Sequence, residues 1–469
     1  MNTYVAIDIL PTCINTYMGQ IGENGLEMQL ADSFEIHEVH IFGHYYWNVF
    51  NIYGNLLKSL KKVAAQSEEI SSIGIDGFGA DICCFGTDGQ LLSQPLSFLD
   101  VIDNKNKTRL QHRMTEAELF EKTGMPNLTF SSLMLLNTMR EYGSTSLSVA
   151  DKILFLQDTL IYLLTGEMIT ESTVASAGGL MNANSRGLDA NILSRMNLTP
   201  RNFGTFVYPG MTIGTISEDV RKLTGLPKVP VVAVAEQDVA SSVISVPTET
   251  NKFAYIFSGR MSAVGIELTK PILKYTALQN KVCNQQGIND RICFHKFLRG
   301  LPLLQKGWAE WGVESEAEMT RMVQELPEEA SSFVDTELTV FDSASSVNEV
   351  VANYCRLTHQ VVPEGNGAVA RCMMKSLALR YVEEIQRVCN VAEKEVDEIH
   401  MMGTSSDNEY FCQLIADAAQ KPVCGNRKNA AAEGNVMAQA YAAGVVDNVE
   451  ELRSLNSRST THKWYEPKR

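Results

Sequence analysis

The chain opens on short, mostly apolar runs broken by turns, and these give way to helical spacing. Tyr4 to Ile9 is apolar around one acid, Asp8, and is followed by a turn at Pro11 and a second run from Thr16 to Ile21. This pattern predicts a β-hairpin. Asn55 to Ala65 carries apolar residues at helical spacing. Ile70 to Gly79 and Ile82 to Phe85 read as two more strands turned at Thr87-Asp88-Gly89. Strand, helix, strand in this order is the α/β pattern. Residues 105–165 read as mostly helical, with one helix over Glu116 to Lys122 and another over Ile153 to Leu164. The β-branched run Val229 to Ala235 predicts a buried strand, and Asp238 to Ser245 a helix that Pro247 stops.

The opening pattern then recurs. Phe253 to Phe257 and Ala263 to Leu268 predict a second hairpin, turned at Ser258-Gly259. Ala368 to Arg387 is an amphipathic helix, Ile399 to Gly403 a strand entering a glycine turn. Asn408 to Ala419 and Ala430 to Ala443 are Ala-rich helices. Two halves that each begin with a hairpin suggest a duplicated α/β domain.

Composition narrows the partners. The chain has 469 residues, 40 Lys and Arg and 55 Asp and Glu, so the net charge is 40 − 55 = −15. Such a balance argues against nucleic acid or an anionic membrane as the main partner, since both require excess cations. No apolar run approaches the ~18 residues of a membrane span, and Met1 to Asp8 lacks the basic start of a leader. The ten cysteines are scattered without a C-x-x-C pair, which reads as reduced, packed thiols in a cytoplasmic protein. A mildly basic, solvated tail is expected over 451–469.

Several residues could carry chemistry. Asp8 ends the first strand, as a turn cap or as a carboxylate holding a hydrated metal. Asp238 follows a buried strand and opens a helix, as an N-cap or as a general base. Ser258-Gly259 and Met402 to Ser405 are glycine turns after strands, plain turns or phosphate cradles. His37, His40 and His44 have metal-like spacing, but the segment is β-branched and aromatic, which argues against a shared helical face. G-x-x-x-x-G-K-[ST], G-x-G-x-x-G, G-x-S-x-G and H-E-x-x-H are absent.

Taken together, these segments resemble the FGGY carbohydrate kinases, in their rhamnulokinase branch. The resemblance runs from about Tyr4 to Val449. It is strongest in Ser72–Phe98, Leu163–Ala183, Tyr208–Ile216, Val229–Pro247, Tyr255–Leu268, Val369–Tyr381 and Phe411–Gly444. It implies two actin-like ATPase (ribonuclease H-like) domains with an interdomain cleft, a sugar-binding domain over 1–247, a nucleotide-binding domain over 248–450, and the tail. The implied reaction is MgATP-dependent phosphorylation of a ketose or 6-deoxy-ketose such as L-rhamnulose. Asp238 is the implied base, and Gly79, Asp81 and Gln237 the sugar-side residues. Asp8, Thr12, Gly259, Arg260, Asn284 and Gly403 fall on the nucleotide side, with Asp8 reaching Mg²⁺ through water. The implied partners are sugar and ATP, without nucleic acid or membrane; the oligomeric state is open.

The phosphate loops depart from the family pattern. The first, which follows Asp8, has Leu10, Pro11 and Asn15 where the family has Gly, no Pro and a basic residue. Glu236-Gln237-Asp238 stands for G-H-D, and a carboxylate at 236 is expected to raise the pKa of Asp238. Arg260 replaces Thr in the second loop, either clasping a phosphate or pairing with Glu236. The glycine run becomes Met402 to Asn408, with one Gly kept. Lys428 or a neighbour takes the place of the later Glu, and Leu99 to Asp103 lose both basic residues of R-D-x-R-T. Two readings follow. One is a working, divergent sugar kinase; the other is a catalytically impaired homologue that binds sugar or protein in regulation or sensing.

Overall fold

The computed structural model describes residues 2–22, 25–67, 69–79, 81–98, 100, 104–259, 261–327, 332–459 and 461–468. The chain forms two compact units. The first comprises Met1–Glu249, Leu268–Cys293 and Ala430–Ser459; the second comprises Thr250–Glu267, Phe294–Asn429 and Thr460–Arg469. Both are discontinuous in sequence.

The first unit is built on a six-stranded sheet. Its strands run in the order Thr212–Thr215, Pro230–Val232, Ile70–Gly77, Thr3–Ile9, Cys13–Gly22 and Gly25–Glu35. Thr3–Ile9 is antiparallel to Cys13–Gly22 and parallel to Ile70–Gly77, with Asp8 beside Asp76 in register. Every residue of Thr3–Ile9 is buried, because helices and strands cover both faces of this central strand. On one side lies the helix Val49–Gln66, which buries Ile52, Leu56, Leu60 and Val63 against Ile7, Ile73 and Ile75. On the sheet also packs the Ala-rich helix Ala430–Ala442, which crosses the helix Asp238–Ile244. Small residues make that crossing close: a Cβ at Gly434 would lie 1.8 Å from the Ser241 carbonyl oxygen. Asn435 and Gln439 pin the helix to the sheet, donating to Asp76 Oδ1 at 2.6 Å and to the Val5 carbonyl at 3.0 Å.

The second unit repeats this order. Its strands run Ile292–Arg299, Met261–Leu268, Phe253–Ser258, Glu398–Gly403, Val423–Gly425 and Lys463–Tyr465. Again a hairpin is followed by two parallel neighbours and an antiparallel edge strand. The helix Asn366–Ala392 buries Val369, Cys372, Met373, Leu377, Tyr381 and Ile385. The duplication suggested by the hairpins is therefore present in the fold.

Two expectations change. Lys152–Phe155 is a strand, antiparallel to Ile82–Phe85, and the helix begins only at Leu156. Asp158 at the third helical position bonds back to the Phe155 N–H, which fixes that boundary. The end of the chain is not a solvated tail. Val449–Ser457 is a helix with Leu452 and Asn456 buried, and Lys463–Tyr465 closes the edge of the second sheet. The segment with His40 and His44 is a β-hairpin, Glu38–Ile41 with His44–Trp47, and no metal-ligating cluster exists among the described residues. All ten cysteines are free. Among the described residues, no helix is long and apolar enough to cross a membrane.

Candidate functional site

In the first unit, the carboxyl ends of the parallel strands bring acids together. Asp8 and Asp76 are register partners on adjacent strands. Both are buried, and Asp8 Oδ1 and Asp76 Oδ2 have no hydrogen-bond donor. Burial and the charge of Asp238 push the Asp8 carboxyl up to about 7. Burial and the charges of Asp8 and Asp238 raise Asp76 well above the usual range, against the Asn435 hydrogen bond. Packing carboxylates this closely in low dielectric disfavours their charged forms. Such orphaned oxygens mark a place where a donor or cation belongs.

Asp238 is the first helical residue, and the N-cap is Gln237, whose Oε1 accepts from the Ala240 N–H at 2.9 Å. The cap role considered for Asp238 thus falls to its neighbour. Gln237 Nε2 donates to Asp238 Oδ1 at 2.6 Å, and the Val239 N–H donates to the same oxygen at 2.7 Å. These bonds orient a carboxyl that keeps some exposure. Its pKa is pushed up to about 7, as expected in direction, but the cause is burial and not Glu236.

Glu236 points elsewhere. Its side chain is fully buried, facing Asp158 and Glu171, and that burial, with the charges of the two acids, raises its carboxyl well above the usual range. Glu171 is satisfied as the cap of Ser172–Ala177, accepting from Thr173, Val174 and Ser172. The Glu236 carbonyl accepts from the Gly77 N–H at 2.9 Å and from Gln157 Nε2 at 3.2 Å. The Gly77 N–H therefore ties the 236–238 junction to the end of the strand Ile70–Gly77. A Cβ at Gly79 would fall 2.1 Å from Gln157 Nε2, so a larger residue there would displace the amide.

Asp81 is buried and accepts from Trp47 Nε1 at 2.8 Å and from the Phe98 N–H at 2.5 Å. Burial pushes it up to about 7; the charge of Glu38 adds to this, against those two bonds. Phe78 stacks between Trp47 and Phe98, with ring centroids 5.7 and 5.2 Å away. The turn after Asp8 is closed on itself. Leu10 N–H donates to the Cys13 carbonyl, Pro11 has no N–H, and the exposed Thr12 accepts at its carbonyl from Ile36 N–H.

In the second unit the strands Phe253–Ser258 and Glu398–Gly403 end side by side, with Ser258 opposite Gly403. Gly403 has φ +81°, and a Cβ there would lie 2.3 Å from the Ser258 carbonyl oxygen. Only glycine fits this approach. The Gly403 N–H donates to the Arg427 carbonyl, and Ser406 Oγ donates to the Gly403 carbonyl and accepts from the Arg427 N–H. Asn408 caps the next helix and donates to Glu316 and Thr320. Beside this turn lies a cavity of about 560 Å³, lined by Trp308, Glu316, Thr320, Thr404, Asn408 and Lys428 among others. Trp308 Nε1 is buried there without an acceptor.

Family models match the two parts of the chain: residues 23–245 match the N-terminal domain of the FGGY family of carbohydrate kinases and residues 310–443 its C-terminal domain. The rhamnulokinase of Bacteroides thetaiotaomicron is 35% identical over 464 residues, 99% of this chain and 96% of that protein. This chain belongs to the FGGY family of carbohydrate kinases. The rhamnulokinase of Bacillus subtilis is 29% identical, covering 99% of this chain and 95% of its own. The fold is shared with the crystal structure of xylulose kinase from Rhodospirillum rubrum (TM-score 0.82, 13% identity, 100% of this chain and 94% of that one). Both units are thus of the actin-like ATPase class that the sequence resemblance implied, and the chain is an FGGY-type phosphotransferase by family.

The structure brings Asp8, Gln237 and Asp238 together in the first unit, and the Gln157 amide that bonds the Glu236 carbonyl lies against Gly79. Gly259 and Gly403 lie at strand ends in the second unit. Asn284 does not join them. It is buried in the first unit, where its amide donates to the Gly124 and Ile272 carbonyls and accepts from the Ile272 N–H. Arg260, Ala80, Leu99 and Val101 to Asp103 lie outside the described residues. Sequence reading missed Asp76, Gln157 and Asn435. Asp76 carried a signal, since it sits on a strand whose neighbour ends in Asp8. Asn435 carried none, because its partner is 359 residues away.

Proposed function

We propose that this FGGY kinase transfers the γ-phosphoryl group of ATP to a hydroxyl of a ketose or 6-deoxy-ketose such as L-rhamnulose, in the cytoplasm. The observation that carries the reading is Asp238. It is held by Gln237 and the Val239 N–H, partly exposed, with its carboxyl up to about 7. A base is most effective when its pKa lies near the working pH, so this carboxylate suits removal of the proton from the attacking hydroxyl. Phosphoryl transfer otherwise asks for positioning and neutralisation of charge.

Residues 1–247 would supply the sugar side, through Gly79, Asp81 and Gln237. Residues 248–450 would supply the nucleotide side, through Gly259, Gly403 and Arg260; Asp8 and the Thr12 turn would face phosphate. The donor set fits a hydrated cation: Asp8 and Asp76 are hard carboxylates with orphaned oxygens. Asp8 would hold Mg²⁺ through water. When bound, the ion neutralises phosphate charge. The chain's own part is to orient Asp238 and to keep the acids of the first unit desolvated.

Calorimetry with MgATP, followed by transfer assays on a ketose panel, tests the reading. Binding and transfer to L-rhamnulose or a close relative are expected. No nucleotide binding at millimolar concentration would reject it.

A further inference from the structure

Three acids are packed together at the junction that carries Asp238, and the fold gives donors to two of them. Asp158, in the first turn of the helix Leu156–Thr165, accepts from the Phe155 N–H and from the Glu171 N–H, both at 3.3 Å. Glu171 accepts from the Thr173 and Val174 N–H groups and from the hydroxyls of Ser172 and Thr173. At Glu236 neither carboxyl oxygen has a donor. All three side chains are fully buried. The charged groups that act most on Glu236 are themselves acids: Asp158 from its helix, Glu171 from the strand Ile169–Glu171 and Asp76 from the strand Ile70–Gly77.

The side chains of Glu236 and Asp158 are hydrogen-bonded to each other. Two carboxylates cannot make that bond, because each only accepts. One of the pair carries a proton, and the donors decide which. N–H groups aimed at both Asp158 oxygens favour its charged form, as the N–H and hydroxyl donors do at Glu171. Glu236 has no such support, so the proton sits there. Burial raises both carboxyls, and the contact between them raises Glu236 further while it lowers Asp158.

Residue 236 also anchors the backbone that leads to the base. Its carbonyl accepts from the Gly77 N–H and from Gln157 Nε2, and its N–H donates to Glu171 at 3.4 Å. The next N–H, of Gln237, donates to Thr173 Oγ1 at 3.2 Å, and Gln237 Nε2 in turn holds the Asp238 carboxyl.

We propose that Glu236 is a neutral acid whose O–H donates to Asp158, and that this bond is a positioning contact for the base Asp238. The positioning role rests on the kinase reading above; the buried proton does not. An ionised Glu236 would be an unpaired charge sealed among acids, which costs far more than the neutral form with its one hydrogen bond. The bond ties the strand end before Asp238 to the first turn of Leu156–Thr165.

Two measurements test it. At pH 8, the infrared difference spectrum of wild type minus Glu236→Gln should contain the C=O stretch of a protonated carboxyl. Loss of a carboxylate band in its place would overturn the proposal. Single-turnover transfer from MgATP to L-rhamnulose, D-fructose or D-xylulose then reads the positioning. Glu236→Gln keeps a donor to Asp158 and brings no charge, so no loss of rate is expected. Glu236→Met has similar length but no donor. It should be slower by about ten- to a hundredfold, the effect of a misplaced reacting group, with KM for MgATP kept. Met as fast as wild type would overturn the positioning role. A loss in Glu236→Gln of the size expected for Met would do so too, even if Glu236→Met does not fold. Wild type that transfers to none of the three ketoses would overturn the kinase reading and the positioning role together, while the infrared band, read without turnover, still decides the proton.

Discussion

In the first unit, Asp8 and Asp76 are buried with oxygens that no donor reaches, while in the second the turn at 403–408 bonds within itself and to Arg427, Glu316 and Thr320. The two regions occupy corresponding places in a repeated strand order, at the ends of a hairpin strand and its parallel neighbour. One is electrostatically strained. The other is geometrically tight, since Gly403 sits at φ +81° against the Ser258 carbonyl. Duplication of a fold thus leaves room for opposite uses: the first copy stores unmet charge, and the second holds a shaped backbone.

That contrast can be broken most strongly at the base. Asp238→Asn removes the proton acceptor but keeps the hydrogen bonds from Gln237 and Val239. Phosphoryl transfer should fall by roughly 10²- to 10⁴-fold, with MgATP affinity kept, as read by single-turnover transfer and calorimetry. Next is the tight side. Gly403→Ala forces a left-handed φ on a residue with a Cβ and a clash with the Ser258 carbonyl. It should cost about 1–3 kcal/mol, seen as a drop in melting temperature of the same size at every pH.

The strained side should show the reverse dependence. Asp8, Asp81 and Asp238 have folded-state pKa values raised to about 7 from an unfolded 3.8. Between those values the folded chain holds more protons than the unfolded one, so stability falls as pH rises through that window. The protein without ligands should therefore melt higher at pH 5.5 than at pH 8. The smallest effect is expected of Asp8→Asn, which removes one charge from the cluster. It should stabilise the ligand-free protein at pH 8 by about 1 kcal/mol and narrow the gap between the two pH values. An unchanged gap would show that Asp8 does not contribute to it.

The hairpins 3–22 and 253–268 and the helix Asn366–Ala392 were legible because local periodicity decides them. Lys152–Phe155 was not, since its apolar run continues without a break into the helix Leu156–Thr165, and only the Asp158 bond to Phe155 N–H marks the join. Lys463–Tyr465 is too short to carry a pattern and is a strand because Val423–Gly425 offers an edge. At the site, Asp8 and Asp238 stood out by position. The rise of Asp238 was anticipated for the wrong reason: Glu236 adjoins it in sequence, but that side chain faces Asp158 and Glu171, which only the fold brings near.

The account turns on Asp238 as a base poised near neutrality. The most direct measurement is the pH dependence of single-turnover transfer from MgATP to L-rhamnulose, in wild type and Asp238→Asn. The wild-type rate should rise with pH and level off above about 7, where the Asp238 carboxyl loses its proton, and the variant should be slow and lack that rise. A variant that keeps both the rate and its rising limb would contradict the assignment.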